Sequence, residues 1–229
     1  MAAVANLPVL ERKNLPAVDT LYAMSEDVLQ LATKLGADAC ELHLSASIAI
    51  TIQVRNGEPE SIEFQCDRDL SVTTYMQHAE GQSSGHAQTG DLTPQAIENA
   101  VRAACGFARH TGSDPHAGLA PAERMAVMSA DKLQALELCH PWALSLDEAI
   151  GRARRCEQAA LESDKRITNT EGASIDSHEG ISLYANSHGF VGHHQGTRHS
   201  ISCSVIAQDE QGMQRDYWYS AHRKPGELN

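Results

Sequence analysis

Hydrophobic residues recur at every second position over a long segment near the start of the chain. Between residues 40 and 54 the even positions carry apolar side chains, whereas most of the odd positions are polar. Such alternation is typical of a strand with one face buried and the other face open. The Asn56-Gly57 dipeptide that follows favours the positive backbone φ angles of a tight hairpin, so a second strand is predicted to return antiparallel to the first.

The chain after this hairpin is predicted to continue as an antiparallel meander. Apolar residues alternate over 62–66, and Asp67-Arg68-Asp69 is interpreted as a break before a third strand over 70–76. Residues 83–89 are polar and fit a fourth strand at a sheet edge. Alternation later in the chain predicts further strands at about 167–176, 181–185, 201–207 and 213–219.

Three segments have the spacing of amphipathic helices. The first is predicted to end at Gly36, which suits the left-handed conformation of a C-terminal cap. The second begins at Thr93-Pro94, a residue pair that is typical of a helix start. The third opens with Ser145 and Glu148, which have the spacing of a capping box.

The order of these elements predicts an α+β fold, in which antiparallel sheets pack against helices in two layered substructures. The predicted organisation is a loose N-terminal arm over 1–17, a helix, meander and covering helix over 18–111, an irregular connection over 112–144, and a helix with antiparallel strands over 145–229. A length of 229 residues agrees with one large domain or two small ones. Because no closing element follows the last strand, we expect the chain to be part of a longer protein.

Composition argues against several classes of function. Lys and Arg total 18 against 30 Asp and Glu, which gives a formal net charge of −12, so direct binding to nucleic acid is not expected. No run approaches the roughly 18 apolar residues of a membrane span, and the first residues lack the features of a secretion signal. We therefore predict a cytoplasmic protein without a membrane partner, whose six cysteines stay reduced.

The familiar catalytic motifs are missing from the sequence. There is no phosphate-binding loop, dinucleotide fingerprint or nucleophile elbow. The His178-Glu179 pair has no further histidine at the offset that a zinc peptidase helix needs. A metal site assembled from neighbouring strands stays open, because five of the twelve histidines lie within 22 residues. These five are His178, His188, His193, His194 and His199.

Tyr217-Trp218-Tyr219 is the densest aromatic group in a chain whose aromatic content is only 4%. The favoured interpretation is that these side chains pack in the core. The alternative is an anchor for a protein interface, where large aromatic side chains are common.

Several strings of residues resemble the N-terminal half of the TldD/PmbA family, whose members are also called modulators of DNA gyrase. The resemblance extends from the first helix to Tyr219 and is closer to the PmbA (TldE) branch than to the TldD branch. The strings are Leu92-Thr93-Pro94, Asn99-Ala100, Ala108-Arg109-His110-Thr111, Asp114-Pro115, Ala117-Gly118-Leu119, Asp164-Lys165-Arg166-Ile167, Asn169-Thr170-Glu171-Gly172 and Asn186-Ser187-His188-Gly189.

The resemblance implies a cytosolic, ATP-independent metalloprotease that is built from two related subunits and admits unfolded peptide into a narrow cleft. It implies a TldD-type paralogue as the partner, with zinc held by that partner through an H-E-x-x-x-H motif that this sequence lacks. We therefore expect a partner subunit that is not catalytic by itself, with no catalytic residue, metal ligand or cofactor of its own. Self-association of the isolated chain stays open.

Four residues in the matching strings are predicted to contribute to a surface for peptide or for the partner: Asn169, Glu171, Asn186 and His188. Two other functions remain as alternatives. One is a binding or modulator module without a protease role, as the older family name suggests. The other is a zinc hydrolase that uses the histidine cluster.

Overall fold

A computed structural model describes residues 15–125 and 136–229 of the chain. Within these ranges the helices are α1 (Val18–Lys34), α2 (Pro94–His110) and α3 (Leu146–Glu162). The strands are β1 (Ala39–Arg55), β2 (Glu58–His78), β3 (Gly81–Thr89), β4 (Ile167–Asn186), β5 (Val191–Asp209) and β6 (Gly212–His222). Short 3-10 turns lie at Ala122–Arg124 and Pro225–Glu227. The predicted arm over 1–17 lies mostly outside the described residues.

The strands form one six-stranded antiparallel sheet in the order β3-β2-β1-β4-β5-β6. The predicted α+β class is confirmed. The predicted ranges 18–111 and 145–229 contribute three strands each. Because β1 of the first range pairs with β4 of the second, the two predicted layers share a single sheet.

The helices cover one face of this sheet and pack on two separate hydrophobic clusters. Leu42 and Leu44 of β1 join the cluster under α1 and α2, whereas Ile50 and Ile52 join the cluster under α3. All four lie at even positions of β1, as the alternation predicts. Within the described ranges, none of the helices has both the length and the apolar character needed to cross a membrane.

Two strands are longer than the sequence pattern indicates. The predicted break at Asp67-Arg68-Asp69 is wrong, because Asp67 and Asp69 pair with Ser47 and Ser45 inside an unbroken β2. Both aspartates belong to the face that the helices leave open, where charged side chains reach water. The predicted strands 167–176 and 181–185 are likewise one strand, β4, whose polar middle interrupts the apolar alternation without ending the ladder.

The cysteines are all free thiols, as predicted. Cys40, Cys105 and Cys203 are buried, and burial raises the pKa of Cys40 to about 12. Cys66 lies on the same side of the sheet but is exposed, because it belongs to the part of β2 that no described helix covers. These thiols behave mainly as small apolar side chains.

The hairpin between β1 and β2 is held by a buried carboxylate. Asn56 and Gly57 have φ angles of 52° and 75°, as the predicted tight turn requires. Glu157 of α3 is only 2% exposed, and its two carboxylate oxygens accept hydrogen bonds from both turn amides at 2.8 Å. One side chain therefore joins the α3 layer to the end of the central hairpin.

Replacing Glu157 with Ala is expected to lower the free energy of unfolding by about 2–3 kcal/mol, because two amides near the core lose their acceptor. Glu157→Gln should cost less, since its amide oxygen still accepts one of the two bonds. Urea denaturation followed by circular dichroism measures both losses. The matched control is Glu26→Ala on the exposed side of α1. A Glu157→Ala loss no larger than that of the control would contradict this role.

Candidate functional site

No helix of residues 15–125 and 136–229 covers the second face of the sheet, which we call the open face, and its middle is lined by small side chains. Ser45 and Ser47 of β1 lie there, next to Gly180 of β4 and Gly196 of β5. Ser47 pairs with Gly180, and Gly180 pairs in turn with Gly196. These residues form the floor of a hollow of about 400 Å³, which we call the central hollow.

The two glycines allow other side chains to lie directly over the sheet backbone. A Cβ atom at Gly196 would lie 3.3 Å from Nη1 of Arg223, and one at Gly180 would lie 3.2 Å from Cε1 of His178. Both distances are tighter than ordinary van der Waals contact. The absence of side chains at these positions therefore makes room for the guanidinium and the imidazole beside the hollow.

Charges of opposite sign flank the central hollow. On the β2 side, Asp67 and Asp69 pair with Ser47 and Ser45; we call these two aspartates the acidic rim. On the opposite side lie four basic side chains that we call the basic rim: His178, His194, Arg198 and Arg223. Since neighbouring strands lie about 4.8 Å apart, β2 and β5 are separated by about 14 Å across the sheet. The hollow is thus a trough with one acidic and one basic side.

A layer of buried polar side chains separates the two hydrophobic clusters on the helix side of the sheet. Ser177 and Glu179 of β4 and Thr197 and His199 of β5 are each no more than 6% exposed. Nδ1 of His199 lies 2.9 Å from the Ser177 hydroxyl, and Nε2 lies 2.9 Å from the carbonyl oxygen of His140. Because a carbonyl only accepts, Nε2 carries the proton and Nδ1 accepts from Ser177 in the neutral ring.

The segment 138–142 is fixed to β5 by this layer. The Thr197 amide donates to the Leu138 carbonyl at 3.0 Å, and the His140 amide donates to the Thr197 hydroxyl at 2.9 Å. Trp142 packs edge-on against the ring of His199, with centroids 5.3 Å apart. The segment therefore rests on a buried, neutral histidine.

The pKa of His199 is lowered, mainly because burial disfavours the charged ring. The hydrogen bond with the His140 carbonyl and the negative charge of Glu179 act in the opposite direction but do not outweigh burial.

The structure distributes the five clustered histidines over different surroundings. His178 and His194 lie on the open face, His188 lies in the turn between β4 and β5, and His193 bonds to a tyrosine of α1. His199 is buried. Among the described residues, no three His, Cys, Asp or Glu side chains are placed to hold a metal ion.

Two of the predicted surface residues, Asn186 and His188, lie at the β4–β5 turn. Asn186 is 1% exposed, and its side-chain oxygen accepts bonds from the amides of His188 and Phe190. Its role in the structure is to shape the turn. His188 is exposed, and its Nδ1 lies 2.9 Å from the carbonyl oxygen of Ala120, so the imidazole ties the turn to the connection.

The other two, Asn169 and Glu171, lie at the opposite end of β4. Asn169 is exposed and accepts a bond from the Thr170 amide, beside an irregularity in the ladder. Glu171 forms an ion pair with Arg215 of β6 and accepts a bond from a serine of β5. About 50 Å of strand separates Glu171 from Asn186, so the four residues do not form one site. A peptide or partner surface at either end stays a prediction.

The aromatic group lies on the edge strand β6 and is exposed. Tyr217, Trp218 and Tyr219 retain 65%, 81% and 57% of their accessible surface, so the core-packing interpretation is wrong. In the described part of the chain, the main contacts of the helices are with β1 to β5 and not with β6, which agrees with the exposure of these large rings. The interface interpretation remains a prediction.

Sequence reasoning did not find the central hollow or its arginines. Arg198 and Arg223 belong to no motif, and they meet only because the ladder places them beside the same glycine pair. The signal that was available is Gly180 and Gly196, since a glycine in a strand interior often marks close approach of another group.

Comparisons with known proteins identify the class to which this fold belongs. Residues 139–228 match the family described as the PmbA/TldA metallopeptidase central domain. Two solved structures share the fold: a modulator of DNA gyrase from Bacteroides thetaiotaomicron, and TldE from Thermococcus kodakarensis. The first has a TM-score of 0.81 at 21% identity and covers 93% of this chain and 47% of its own. The second has a TM-score of 0.68 at 15% identity and covers 88% and 43%.

Curated relatives identify the family within this class. Metalloprotease PmbA of Escherichia coli O157:H7 is 41% identical over 222 residues, which is 96% of this chain and 48% of the relative. A PmbA homolog of Haemophilus influenzae is 40% identical over 86% of this chain and 42% of its own length. The chain belongs to the TldD/PmbA family, in its PmbA branch. It spans about half the length of the curated relatives that it matches.

The lowered pKa of His199 predicts that stability depends on pH. As the pH is lowered, the unfolded chain protonates this histidine at a higher pH than the folded chain does. The stabilisation is therefore fully present above the ordinary histidine pKa of about 6.5 and decreases as pH falls below it towards the lowered pKa of the folded state.

We expect His199→Gln to be less stable than the unchanged protein at about pH 7.5, with a smaller difference at about pH 5.5. Thermal unfolding at the two values measures the difference, and His116→Gln, at an exposed histidine, is the control. An equal loss for His199→Gln at both values would contradict the assignment.

Proposed function

We propose that this chain forms about half of a PmbA-type subunit that acts together with a TldD-type paralogue as a heteromeric metalloprotease for unfolded peptides in the cytoplasm. The observation that carries the proposal is its 41% identity to Metalloprotease PmbA over 96% of the chain. In this proposal the chain contributes surfaces for partner and peptide, and the paralogue contributes the chemistry.

The described residues of this chain do not fit a zinc peptidase site. His178 is exposed on the open face, whereas the adjacent Glu179 is buried on the helix side of the same strand. Neighbouring residues of a strand point to opposite faces, so this imidazole and this carboxylate do not converge on one ion. We therefore assign the zinc to the TldD-type partner and derive no bond cleavage from the described residues.

The edge strand β6 supports a role in holding an extended polypeptide. It is the last strand in the sheet order, and its residues from 212 to 219 are exposed. A polypeptide segment added to such an edge gains main-chain hydrogen bonds, and alternate side chains contact the two faces. Tyr217 and Tyr219 lie on one face and Trp218 on the other, so each face offers an aromatic contact.

The same exposed aromatic strand favours a second candidate function. A binding module that modulates another protein without proteolysis needs an apolar contact surface, and Tyr217, Trp218 and Tyr219 provide one. The two functions differ in what complex formation produces. A protease subunit gives cleavage in the complex, whereas a modulator changes only the behaviour of its partner.

The test is to purify this chain and a TldD-type paralogue separately and together. We expect a stable complex by size-exclusion chromatography with light scattering. We also expect cleavage of fluorescein-labelled casein, an unfolded substrate, only by the complex. A chelator should abolish cleavage and added zinc should restore it. Elemental analysis should find the zinc in the paralogue.

The matched control is the paralogue with the glutamate of its H-E-x-x-x-H motif changed to glutamine, which should bind this chain without cleaving. A stable complex that never cleaves would favour the modulator function. Cleavage by this chain alone, at the rate of the complex, would contradict the proposal.

A further inference from the structure

We propose that the central hollow binds a carboxylate group, held by the guanidinium groups of Arg198 and Arg223. The formal charge of the whole chain is −12, yet the basic rim concentrates two arginines and two histidines around one hollow. An arginine fork matches the two oxygens of a carboxylate and donates paired hydrogen bonds to them.

Arg223 is held in place before any ligand binds. Its Nη1 donates to the Thr197 carbonyl at 3.3 Å, and its own carbonyl accepts from the Thr197 hydroxyl at 3.0 Å. The guanidinium lies over Gly196, where an added Cβ atom would come within 3.3 Å of Nη1 and require it to shift slightly. Such fixation lowers the conformational entropy that a flexible arginine loses on binding.

Arg198 lies next to the same glycine on β5 and has no carboxylate partner among the described residues. The nearest candidate across the ladder is Asp176, which is diagonal to Arg198. Both oxygens of Asp176 already accept bonds from hydroxyl groups. The donors are Thr51 at 2.8 Å, Ser174 at 3.0 Å and Ser200 at 3.2 Å.

Six cationic side chains of the described residues form ion pairs, whereas several others, including Arg198 and Arg223, have none with a described carboxylate. Ion pairs join Arg55 to Glu60, Arg102 to Glu98, Arg154 to Glu58, Arg166 to Asp164, Arg215 to Glu171 and Lys224 to Glu137. Arg198 and Arg223 differ from the other unpaired cations in that both line the same hollow, and two such arginines without a carboxylate among the described residues indicate a site for an external anion.

The position of the arginines also leaves room for a ligand. Both line the central hollow of about 400 Å³, and both line a second cleft of about 610 Å³ beside residues 136–140. The carboxylate of Glu137 in that cleft is already paired with Lys224 at 2.9 Å. Among the described residues, no ion pair of Arg198 or Arg223 has to be displaced when a ligand approaches.

The surroundings favour a carboxylate over a phosphate. The floor is made of Ser45, Ser47 and glycine, whose small side chains leave room for a flat group over the sheet. The acidic rim of Asp67 and Asp69 lies about 14 Å away on the other side, where it can accept hydrogen bonds from the N–H groups, or attract the positive charges, of a ligand long enough to reach it. A peptide with a carboxylate at one end fits both sides of the trough.

The assignment of this carboxylate to a peptide rests on the proposed function. Its source is then either the C-terminus of the peptide or an acidic side chain, which share the same chemistry. Binding by this chain alone, without the paralogue, tests the inference separately from proteolysis. If carboxylate peptides bind but the complex never cleaves, only the proposed protease function fails.

The experiment is a calorimetric titration of the purified chain at low ionic strength with four probes. These are acetyl-Gly-Ala-Ala-Ala with a free carboxylate, the same peptide as its amide, acetyl-Ala-Glu-Ala amide, and inorganic phosphate. We expect the free-acid peptide to bind about tenfold or more tightly than its amide, as charge-assisted bonds imply. Equal binding of the glutamate peptide would support the site with a side chain as the source.

Variants connect the binding to the two arginines. Arg198→Gln and Arg223→Gln should each weaken binding of the free-acid peptide about tenfold. Arg198→Lys should bind more tightly than Arg198→Gln but less tightly than the unchanged protein, because lysine keeps the charge and lacks the paired donors of the guanidinium. The control is Arg102→Gln, which removes one charge from α2 and should leave peptide binding unchanged. Thermal unfolding of every variant, compared with that of the unchanged protein, confirms that each variant is folded. Equal binding of acid and amide, tighter binding of phosphate, or equal losses in the control would overturn the proposal.

Discussion

The antiparallel pairing of β1 with β4 is the constraint on which the rest of the structure depends. It runs from Glu41 opposite Asn186 to Val54 opposite Ala173, and it joins strands that lie more than a hundred residues apart. Because side chains alternate along both strands, this one register decides which residues face the helices and which face the open side. A shift of one residue would move Leu42 and Ile50 into solvent.

The same register explains why the helix side holds two clusters. Where Ile48 and Ile50 of β1 meet β4, their partners are Glu179 and Ser177 rather than apolar residues. Polar side chains at these positions need partners, and His199 provides one for Ser177. The layer divides α1 and α2 from α3, and it gives the segment 138–142 a polar surface to bind.

Local features of this fold are predictable from the sequence, and features that depend on register are not. The Asn56-Gly57 turn and the capping box of Ser145 and Glu148 were confirmed, because each is encoded by residues next to or near one another. The break at Asp67-Arg68-Asp69 was wrong because a charged triplet resembles a turn, although β1 pairs through it. A turn and an open polar face share the same composition, and only the partner strand distinguishes them.

The candidate site could not be predicted from residues that are close in the sequence, because it too depends on the strand register. Gly180 and Gly196 are sixteen positions apart and become neighbours only in the ladder, and Arg223 joins them through Thr197. The four residues chosen from the matching strings instead lie near the two ends of β4, because a string that resembles a family marks a turn as readily as a binding surface.

The charge of the whole chain does not decide what the hollow attracts. At physiological salt, charges are screened beyond about 8 Å, so most of the acidic surface has little effect there. The field in the hollow comes mainly from the basic rim on β4, β5 and Arg223. An acidic protein can thus present a local site for an anion, provided that its own carboxylates nearby are engaged, as Asp176 is with three hydroxyl groups.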